Sequence, residues 1–527
     1  MHEQQSDSGH AHSTRILRKT VKIRPRTHNW SVIAAYLLAG FVLLLGMPTF
    51  AQPRPSDLTL RGKLSAADHQ TYLEIPFRVP TGTVRMTVEF THSGQSDRTV
   101  IDLGLRDPQR FRGWSGGDKS RVVIENADAT PSYLAGPLPA GTWRLLLGVP
   151  NIRPAATATF AANFWFDRAS DPFPGFLPEA IRSEPGWYRG DLHLHTAHSD
   201  GSCLSRRGVR APCPVFKTLE AARARGLDFV AVSDHNTTSQ NQALRELAPY
   251  FDDLLLIPAR EITTFQGHIN VFGPTVDLDF QLGSAHAPTL AKILNQADVA
   301  HGLVSINHPG LPSGEACMGC GWTADTEWGR IAAMEVINGG TLAFLGPEGP
   351  LSGLSSWEHQ LNAGRRITAI GGSDNHQADL PTDSAAAVGR PTTVVHASEL
   401  SQAAILTAIR KGHVFVDVWG SADRNLEVIA QAGTQQAEMG DSLLVHRGAR
   451  VSITVRVKGV PAGARISLAG DAAAFAKLTD TDLTAQKPSV SFEVLADDRP
   501  RWLRVDVRGP DHTLLLLGNP IYLRPLR

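Results

Sequence analysis

The segment GDLHLHTAHSDG, residues 190–201, concentrates three histidines and two aspartates in one short stretch. The segment otherwise reads as a buried strand, and alternate side chains of a strand lie on one face. His193 and His195 are therefore expected to point the same way. Two imidazoles held side by side repel each other when protonated, so a shared metal ion is the simplest reason for this spacing.

Further polar clusters come directly after apolar runs. They are Asp234-His235-Asn236 after LDFVAVS, Glu261 and then Gly267–Asn270 after LLLIPAR, His308 after LVSIN, and Asp374-Asn375-His376 after ITAIGGS. In a parallel α/β barrel, functional groups gather at the carboxyl ends of the strands. Imidazoles and carboxylates brought together in this way are ligands for Zn, Mn or Fe. The sequence therefore predicts a multinuclear metal site built from several segments.

The elements that position these clusters alternate between apolar strands and helical patterns, which indicates a parallel sheet, open or closed into a barrel. The flanking regions read as short alternating strands punctuated by Gly, Pro and Asp, which is typical of antiparallel sandwiches. We predict a signal peptide or membrane anchor at 1–51, an N-terminal β-sandwich at 53–182, a metal-binding barrel at 183–418 and a C-terminal β-sandwich at 419–527.

The N-terminal segment is basic and then apolar, with Thr49-Phe50-Ala51 as a candidate cleavage site. An uncleaved membrane anchor is the alternative, and both interpretations place residues 52–527 outside the cytoplasm, in the periplasm or secreted. The chain of 527 residues has a formal net charge of zero, so nothing indicates nucleic-acid binding. A membrane contact is expected only through the N-terminal segment.

The chain has four cysteines, Cys203, Cys213, Cys317 and Cys320. In an oxidising compartment disulfides are the default expectation, with pairs Cys203–Cys213 and Cys317–Cys320 near the rim of the site. A four-thiolate zinc site and a redox role for the C-x-x-C pair are the alternatives.

The motifs HLHTAHSDG, SDHN, AREIT, GHINVFG, NHPG and GGSDNH, in this order, resemble those of the PHP (polymerase and histidinol phosphatase) superfamily. Within it the chain is similar to the CehA/McbA type, named for carbaryl hydrolases. The resemblance spans residues 187–415 and implies a distorted (β/α)7 barrel with two or three divalent metal ions, Zn, Mn or Fe.

Carried over by motif position, the resemblance implies three groups of ligands. One ion is held by His193, His195, Glu261 and Asp374, a second by Glu261, His268 and His308, and a third by Asp200, His235 and His376. Many superfamily members have a histidine where this chain has Asp200, which leaves occupancy of the third position open. The implied chemistry is hydrolysis by a metal-bridged hydroxide, with Glu261 and Asp374 at its centre.

The remaining candidate residues surround these ligands, and each has a plainer alternative role. His198 is a candidate general acid or a solvated loop histidine. Asn236 and Asn307 are candidates for substrate hydrogen bonding or for loop capping. Arg207 and Arg210 are candidates for clamping a phosphate or for solubility. Trp322, followed by Trp328, is a candidate wall for an apolar leaving group or ordinary packing.

Three functions remain open from the sequence. The first is an exported phosphoesterase, and the second is a carbamate or carboxyl ester hydrolase of the carbaryl-hydrolase kind, each acting on a small-molecule ester. Both reactions need an activated water and a stabilised oxyanion. The third is a non-catalytic, metal-stabilised binding protein.

Overall fold

A computed structural model describes residues 54–177, 179–315, 317–477, 481–483 and 488–526. The expected signal peptide or anchor at 1–51 lies outside the described residues. The described residues from Ser56 onward form one compact unit. In the described part of the chain, no helix combines the length and the apolar character needed to cross a membrane.

The N-terminal region consists of two antiparallel sheets that face each other across one hydrophobic core. Alternating sequences such as YLEIPFRV bury or half-bury every second side chain, as a strand with one face on a core does. The strands are β1 (Leu58–Leu64), β2 (Tyr72–Val79), β3 (Arg85–His92), β4 (Val100–Arg106), β5 (Phe111–Trp114), β6 (Arg121–Glu125), β7 (Gly141–Asn151) and β8 (Ala158–Asp167). The sheet orders are β1-β8-β3-β6 and β2-β7-β4-β5.

The central region alternates buried strands with helices. Its elements are β9 (Gly186–Leu194), β10 (Ser202–Leu204), β11 (Arg210–Pro212), α1 (Val215–Ala224), β12 (Phe229–Val232), α2 (Gln240–Leu247), β13 (Leu255–Thr264), β14 (Gly267–Phe272), α3 (Leu290–Val299), β15 (Leu303–Ile306), β16 (Ala333–Asn338), α4 (Gly339–Leu345), α5 (Leu354–Asn362), β17 (Thr368–Gly372), β18 (Thr392–Ala397), α6 (Gln402–Lys411) and β19 (Val414–Asp417). The short strands FVAV and LVSI are buried along their whole length, because both sheet faces are covered.

The pairing of the central strands departs from the expected parallel sheet. The order is β9-β12-β13-β14-β15-β16-β17, but β14 runs antiparallel to both of its neighbours. Only Phe265 and Gln266 separate β13 from β14, whereas a parallel connection needs about a dozen residues or more. An isolated bridge joins Leu194, at the end of β9, to Asn375, just beyond β17. The fold is mixed α/β with mostly antiparallel sheets, and a (β/α)7 barrel is not shown.

The C-terminal strands divide between an extension of the central sheet, beyond β9, β18 and β19, and a separate sheet. They are β20 (Asn425–Ala432), β21 (Gln435–Glu438), β22 (Ser442–Val445), β23 (Arg450–Lys458), β24 (Arg465–Ala469), β25 (Ala476–Lys477), β26 (Ser489–Leu495), β27 (Arg501–Arg508), β28 (Leu514–Gly518) and β29 (Ile521–Pro525). Strand β19 pairs with β28, and a separate sheet ordered β21-β20-β23-β26-β25 packs on this extension through a shared core.

Candidate metal centre

Strand β9 and the residue that follows it carry the first two candidate ligands in buried positions. His193 and His195 are both buried, and their rings lie 5.1 Å apart between centroids. The backbone just after β9 is held by a hydrogen bond from His195 N to Asn375 O of 3.0 Å. The i, i+2 spacing in the sequence therefore places both imidazoles on one side of the strand.

Glu261, buried on β13, lies in the middle of a largely buried group of ligands that we call the inner part of the site. This group comprises His193, His195, Glu261, His268, His308 and Asp374. The Oε1 atom of Glu261 lies 3.4 Å from His193 Nε2, 3.3 Å from His268 Nδ1 and 3.4 Å from His308 Nε2. Asp374 Oδ1 faces the same cluster, 3.3 Å from His193 Nε2 and 3.1 Å from His195 Nε2. Strand ends that are distant in sequence thus present their side chains to one centre.

The outer part of the site is more accessible to solvent. Asp200, with its side chain 60% exposed, has Oδ1 3.3 Å from His376 Nε2 and 3.6 Å from His235 Nε2. His195 also belongs to this group, since one ligand atom from each of the four residues lies within 4.8 Å of the others. The structure therefore brings all the sequence-predicted metal ligands together, with His195 shared between the inner and outer parts.

Two observations indicate that the candidate ligands fit divalent ions. Ligands at about 2.1 Å from a tetrahedral ion lie about 3.4 Å apart, which matches the separations of 3.3 to 3.6 Å from His193 Nε2 to Glu261 and Asp374 and from Asp200 to His235. Two other pairs, Asp374–His195 at 3.1 Å and Glu261–His235 at 2.8 Å, lie at hydrogen-bond distance. In addition, Nε2 of His193, Nδ1 of His268 and Nδ1 of His308 are buried without a hydrogen-bond partner among the described residues. Such orphaned atoms carry a desolvation cost that a bound cation removes.

The carboxylates of the centre are held ionised. Burial would raise the pKa of Glu261, but His193, His235 and His268 outweigh it and keep the pKa well below the usual value. Burial likewise opposes ionisation of Asp374, whose pKa is kept well below its usual value by His193 and His195. Ionised carboxylates are the form that binds a cation.

The pKa values of the histidines shift in different directions, according to the neighbours of each ring. Burial lowers the pKa of His195 to about 4, which favours the neutral imidazole that ligates metals. For His193 the opposing effect of burial is overcome by Asp374, Glu261 and Glu335, which raise its pKa well above the usual value. His376 is similar, since Asp200 and Asp374 outweigh burial and raise its pKa to about 9.

Glu335 contacts two of the candidate ligands and was not among the residues expected from the sequence. It is buried on β16, where its Oε1 accepts a hydrogen bond from His193 Nδ1 at 3.1 Å. Its Oε2 accepts from His308 N at 3.0 Å and from Asn338 Nδ2 at 2.9 Å. This arrangement fixes His193 with Nε2 toward the centre. The available signal was a single acid in the apolar run AMEVIN.

Two of the candidate substrate contacts, Asn236 and Arg210, form hydrogen bonds with protein groups. The Asn236 side chain forms two hydrogen bonds with the backbone of Thr263. Its Oδ1 accepts from the N–H at 2.9 Å and its Nδ2 donates to the C=O at 3.1 Å. Arg210 donates to Asp379 at 2.8 Å and to Gln377 at 3.1 Å, so its guanidinium is engaged. Both side chains are engaged by protein groups, and their role as substrate contacts stays a prediction.

The other candidates remain close to the site or its loops. Asn307 donates to Glu261 Oε1 at 2.9 Å, so it orients a ligand. His198 lies 2.8 Å from Ser239 Oγ through Nδ1 and belongs to none of the ligand groups found among the described residues. Trp322 packs so closely over Gly267 that a Cβ there would overlap its ring. Arg207 is exposed in the turn between β10 and β11.

The cysteines pair as Cys203–Cys213 and Cys317–Cys320, and none is free. The first pair links β10 to the residue that follows β11. The second closes a short loop whose Met318 carbonyl lies 3.4 Å from His268 Nε2. The alternative of a single four-thiolate zinc site does not match this pairing.

Comparisons with known proteins give the following findings. No protein-family model matches the sequence, and no curated protein matches it. Among solved structures, the chain is similar to a two-domain protein from Bacteroides vulgatus that contains a predicted PHP-like metal-dependent phosphoesterase. The TM-score is 0.34 at 17% sequence identity, covering 67% of this chain and 98% of the other. At this level of similarity, the geometry of the site itself carries the functional inference.

Proposed function

We propose that this chain is a metal-dependent hydrolase of phosphate esters. The observation that carries the proposal is the convergence of imidazoles and carboxylates from separate strand ends at ligand-to-ligand distances, with buried nitrogens that lack partners. These imidazoles and carboxylates would hold two or three divalent ions, and the chemistry supplied on binding would be acidification of a water molecule and neutralisation of charge on the ester.

The protein's own residues prepare the inner part of the site. Asn307 and Glu335 hold Glu261 and His193 in fixed orientations through hydrogen bonds of 2.9 and 3.1 Å. The inner ligands are buried, which keeps bulk water away and strengthens electrostatic interactions. An ester therefore reaches the centre from the outer part, where Asp200 is exposed.

A phosphate ester is favoured by a cationic side chain on the hairpin that is hydrogen-bonded to the outer part of the site. The hairpin formed by β10 and β11 is joined to the site by a hydrogen bond from Ser202 N to His376 O of 2.7 Å. Arg207 lies exposed in the turn of this hairpin. A guanidinium presents two parallel N–H groups that match a phosphate. His198, held through Nδ1 by Ser239, is the candidate for protonating the leaving group through Nε2.

A carbamate or carboxyl ester is the second candidate, and a different surface favours it. Next to His268, the side chains of Phe265 and Met318 are 88% and 73% exposed, and Trp322 packs over Gly267. Exposed apolar side chains beside a polar centre suit an aromatic or aliphatic leaving group better than a charged one.

The test is hydrolysis by the metal-loaded protein of a chromogenic phosphodiester, a phosphomonoester and a 1-naphthyl carbamate. Glu261→Gln, which keeps the side-chain size, should abolish any turnover that belongs to this centre. If the substrate is a phosphate ester, Arg207→Ala should raise KM, whereas Arg210→Ala, whose guanidinium already pairs with Asp379, is the matched control.

The outcomes separate the candidates. Turnover of the carbamate alone would replace the phosphate proposal with the second candidate. No turnover by protein that holds metal would contradict both and favour a non-catalytic, metal-stabilised binding protein. Turnover that persists in Glu261→Gln would exclude this centre as the active site.

We further propose that the central strands are a distorted (β/α)7 barrel of the PHP, CehA/McbA type, supported by the order of the motifs and by the Leu194–Asn375 bridge. We also propose that the protein is exported, periplasmic or secreted, and acts on small molecules without nucleic acid. The basic-then-apolar N-terminal sequence and the two disulfides support this location.

A further inference from the structure

The sulfur of Cys320 lies among the histidines at the inner part of the metal centre. The Sγ atom and one ring nitrogen each of His268 and His308 lie within 4.8 Å of one another, and all three side chains are buried. Nδ1 of each of these histidines has no hydrogen-bond partner in the described part of the chain. Two imidazoles and a sulfur in this arrangement form a ligand set typical of zinc.

The backbone holds Cys320 in this place. Gly319 packs against the carbonyl of Thr264 so closely that a Cβ would overlap it. After the cysteine, the N–H groups of Thr323 and Ala324 donate to Gln266 O at 2.8 and 3.0 Å. The loop is thereby fixed to the β13–β14 turn on both sides of the sulfur.

The neighbouring loop also selects the form of His268 that can bind. His268 Nε2 lies 3.4 Å from the carbonyl oxygen of Met318. A carbonyl oxygen only accepts hydrogen bonds, so this contact requires the proton to be on Nε2. A proton on Nε2 leaves the lone pair on Nδ1, the nitrogen that faces Glu261 Oε1 at 3.3 Å. The loop that carries Cys320 therefore orients a metal ligand as well as supplying a sulfur.

We propose that Cys320 is a further protein ligand for the ion held by His268 and His308, and that it binds whenever the Cys317–Cys320 disulfide is open. The thiolate is the ligand form of cysteine, and a disulfide sulfur carries no such charge. The proposal rests on the metal centre of the proposed function and is independent of which ester is cleaved.

The disulfide opens by exchange with a dithiol. The two thiols of the reductant become a disulfide, and two electrons and two protons pass to Cys317 and Cys320. Cys320 then releases its proton as it ligates the ion. With Glu261, His268 and His308 already present, a fourth protein ligand fills a tetrahedral set and leaves no open position for water. Reduction is therefore expected to suppress hydrolysis that depends on this position.

The test uses full-length protein loaded with Co²⁺ and read by absorption spectroscopy, independently of activity. Cys317→Ser leaves Cys320 as a permanent thiol without any reductant and should show a thiolate-to-cobalt charge-transfer band in the near ultraviolet. Cys320→Ser should lack the band. Cys203→Ser is the matched control, because it frees Cys213, which belongs to none of the ligand groups among the described residues.

A second measurement covers failure of the Cys317→Ser variant to fold. Wild-type protein is treated with a dithiol, which is removed before Co²⁺ is added, and the same band should appear, then disappear on reoxidation. Visible cobalt bands without the charge-transfer band in both experiments would overturn the role of Cys320 alone. Failure of every variant and the wild type to bind Co²⁺ would instead overturn the metal centre.

Discussion

Replacing Glu335 by Gln tests whether this buried carboxylate prepares the metal centre. The substitution keeps the volume of the side chain but removes its charge and one of its two acceptor oxygens. Oε1 serves His193 Nδ1, while Oε2 serves two donors, His308 N and Asn338 Nδ2. An amide nitrogen accepts no hydrogen bond, so either orientation of the introduced amide leaves at least one buried donor unpaired.

The expected effect is on metal affinity. Loss of a partner that orients a metal-binding histidine costs about 10- to 100-fold in affinity. This factor corresponds to about 1.4 to 2.7 kcal/mol at 1.36 kcal/mol per decade. Glu335 also helps to raise the pKa of His193, so the variant should release a proton from His193 more easily in the metal-free protein. Easier deprotonation of His193 favours metal binding, so the expected loss of metal affinity stays within about 10- to 100-fold.

The assay is a competition titration of Zn²⁺ between the protein and a chromophoric chelator. Glu358→Gln is the control, because it removes a carboxylate that pairs with Arg504 at 2.9 Å outside the centre. The control should keep the parent affinity. An unchanged affinity in folded Glu335→Gln protein would refute the role assigned to Glu335.

Three further predictions follow from the same contacts. In metal-free protein, the pKa of His376 is raised to about 9 from 6.5, so its stabilising contribution is complete below pH 6.5 and is lost as the pH rises to 9. His376→Asn should therefore flatten the fall in Tm over that range, and an unchanged slope would contradict this. Arg245→Met should lower the free energy of unfolding in urea by about 3–5 kcal/mol, because it removes the cation that lies 3.0 Å from buried Glu125 and also pairs with buried Asp128, and leaves Glu125 with Arg85 at 3.8 Å. An equal loss in Arg121→Met, an exposed pair, would argue against burial as the cause. Gly372→Ala should reduce the metal bound per chain, because its Cβ would overlap Glu335, and full metal content would exclude this overlap.

The sequence by itself identified most of the candidate ligands because their signals are local. A strand alternates its side chains, so His193 and His195 were expected on one face from their spacing alone. Polar residues directly after apolar runs were expected at one edge of a sheet, which brought Glu261, His308 and Asp374 into the prediction. These inferences need only a few residues of context.

Tertiary structure decided the features that depend on which strands become neighbours. The two-residue turn at Phe265-Gln266 reverses β14, which a pattern of buried strands does not reveal because both directions bury the same side chains. Glu335 lies in an apolar run and becomes a partner of His193, 142 residues earlier, only through sheet order. Cys320 meets His268 for the same reason. Distances between residues far apart in sequence follow from packing, and packing depends on the whole chain at once.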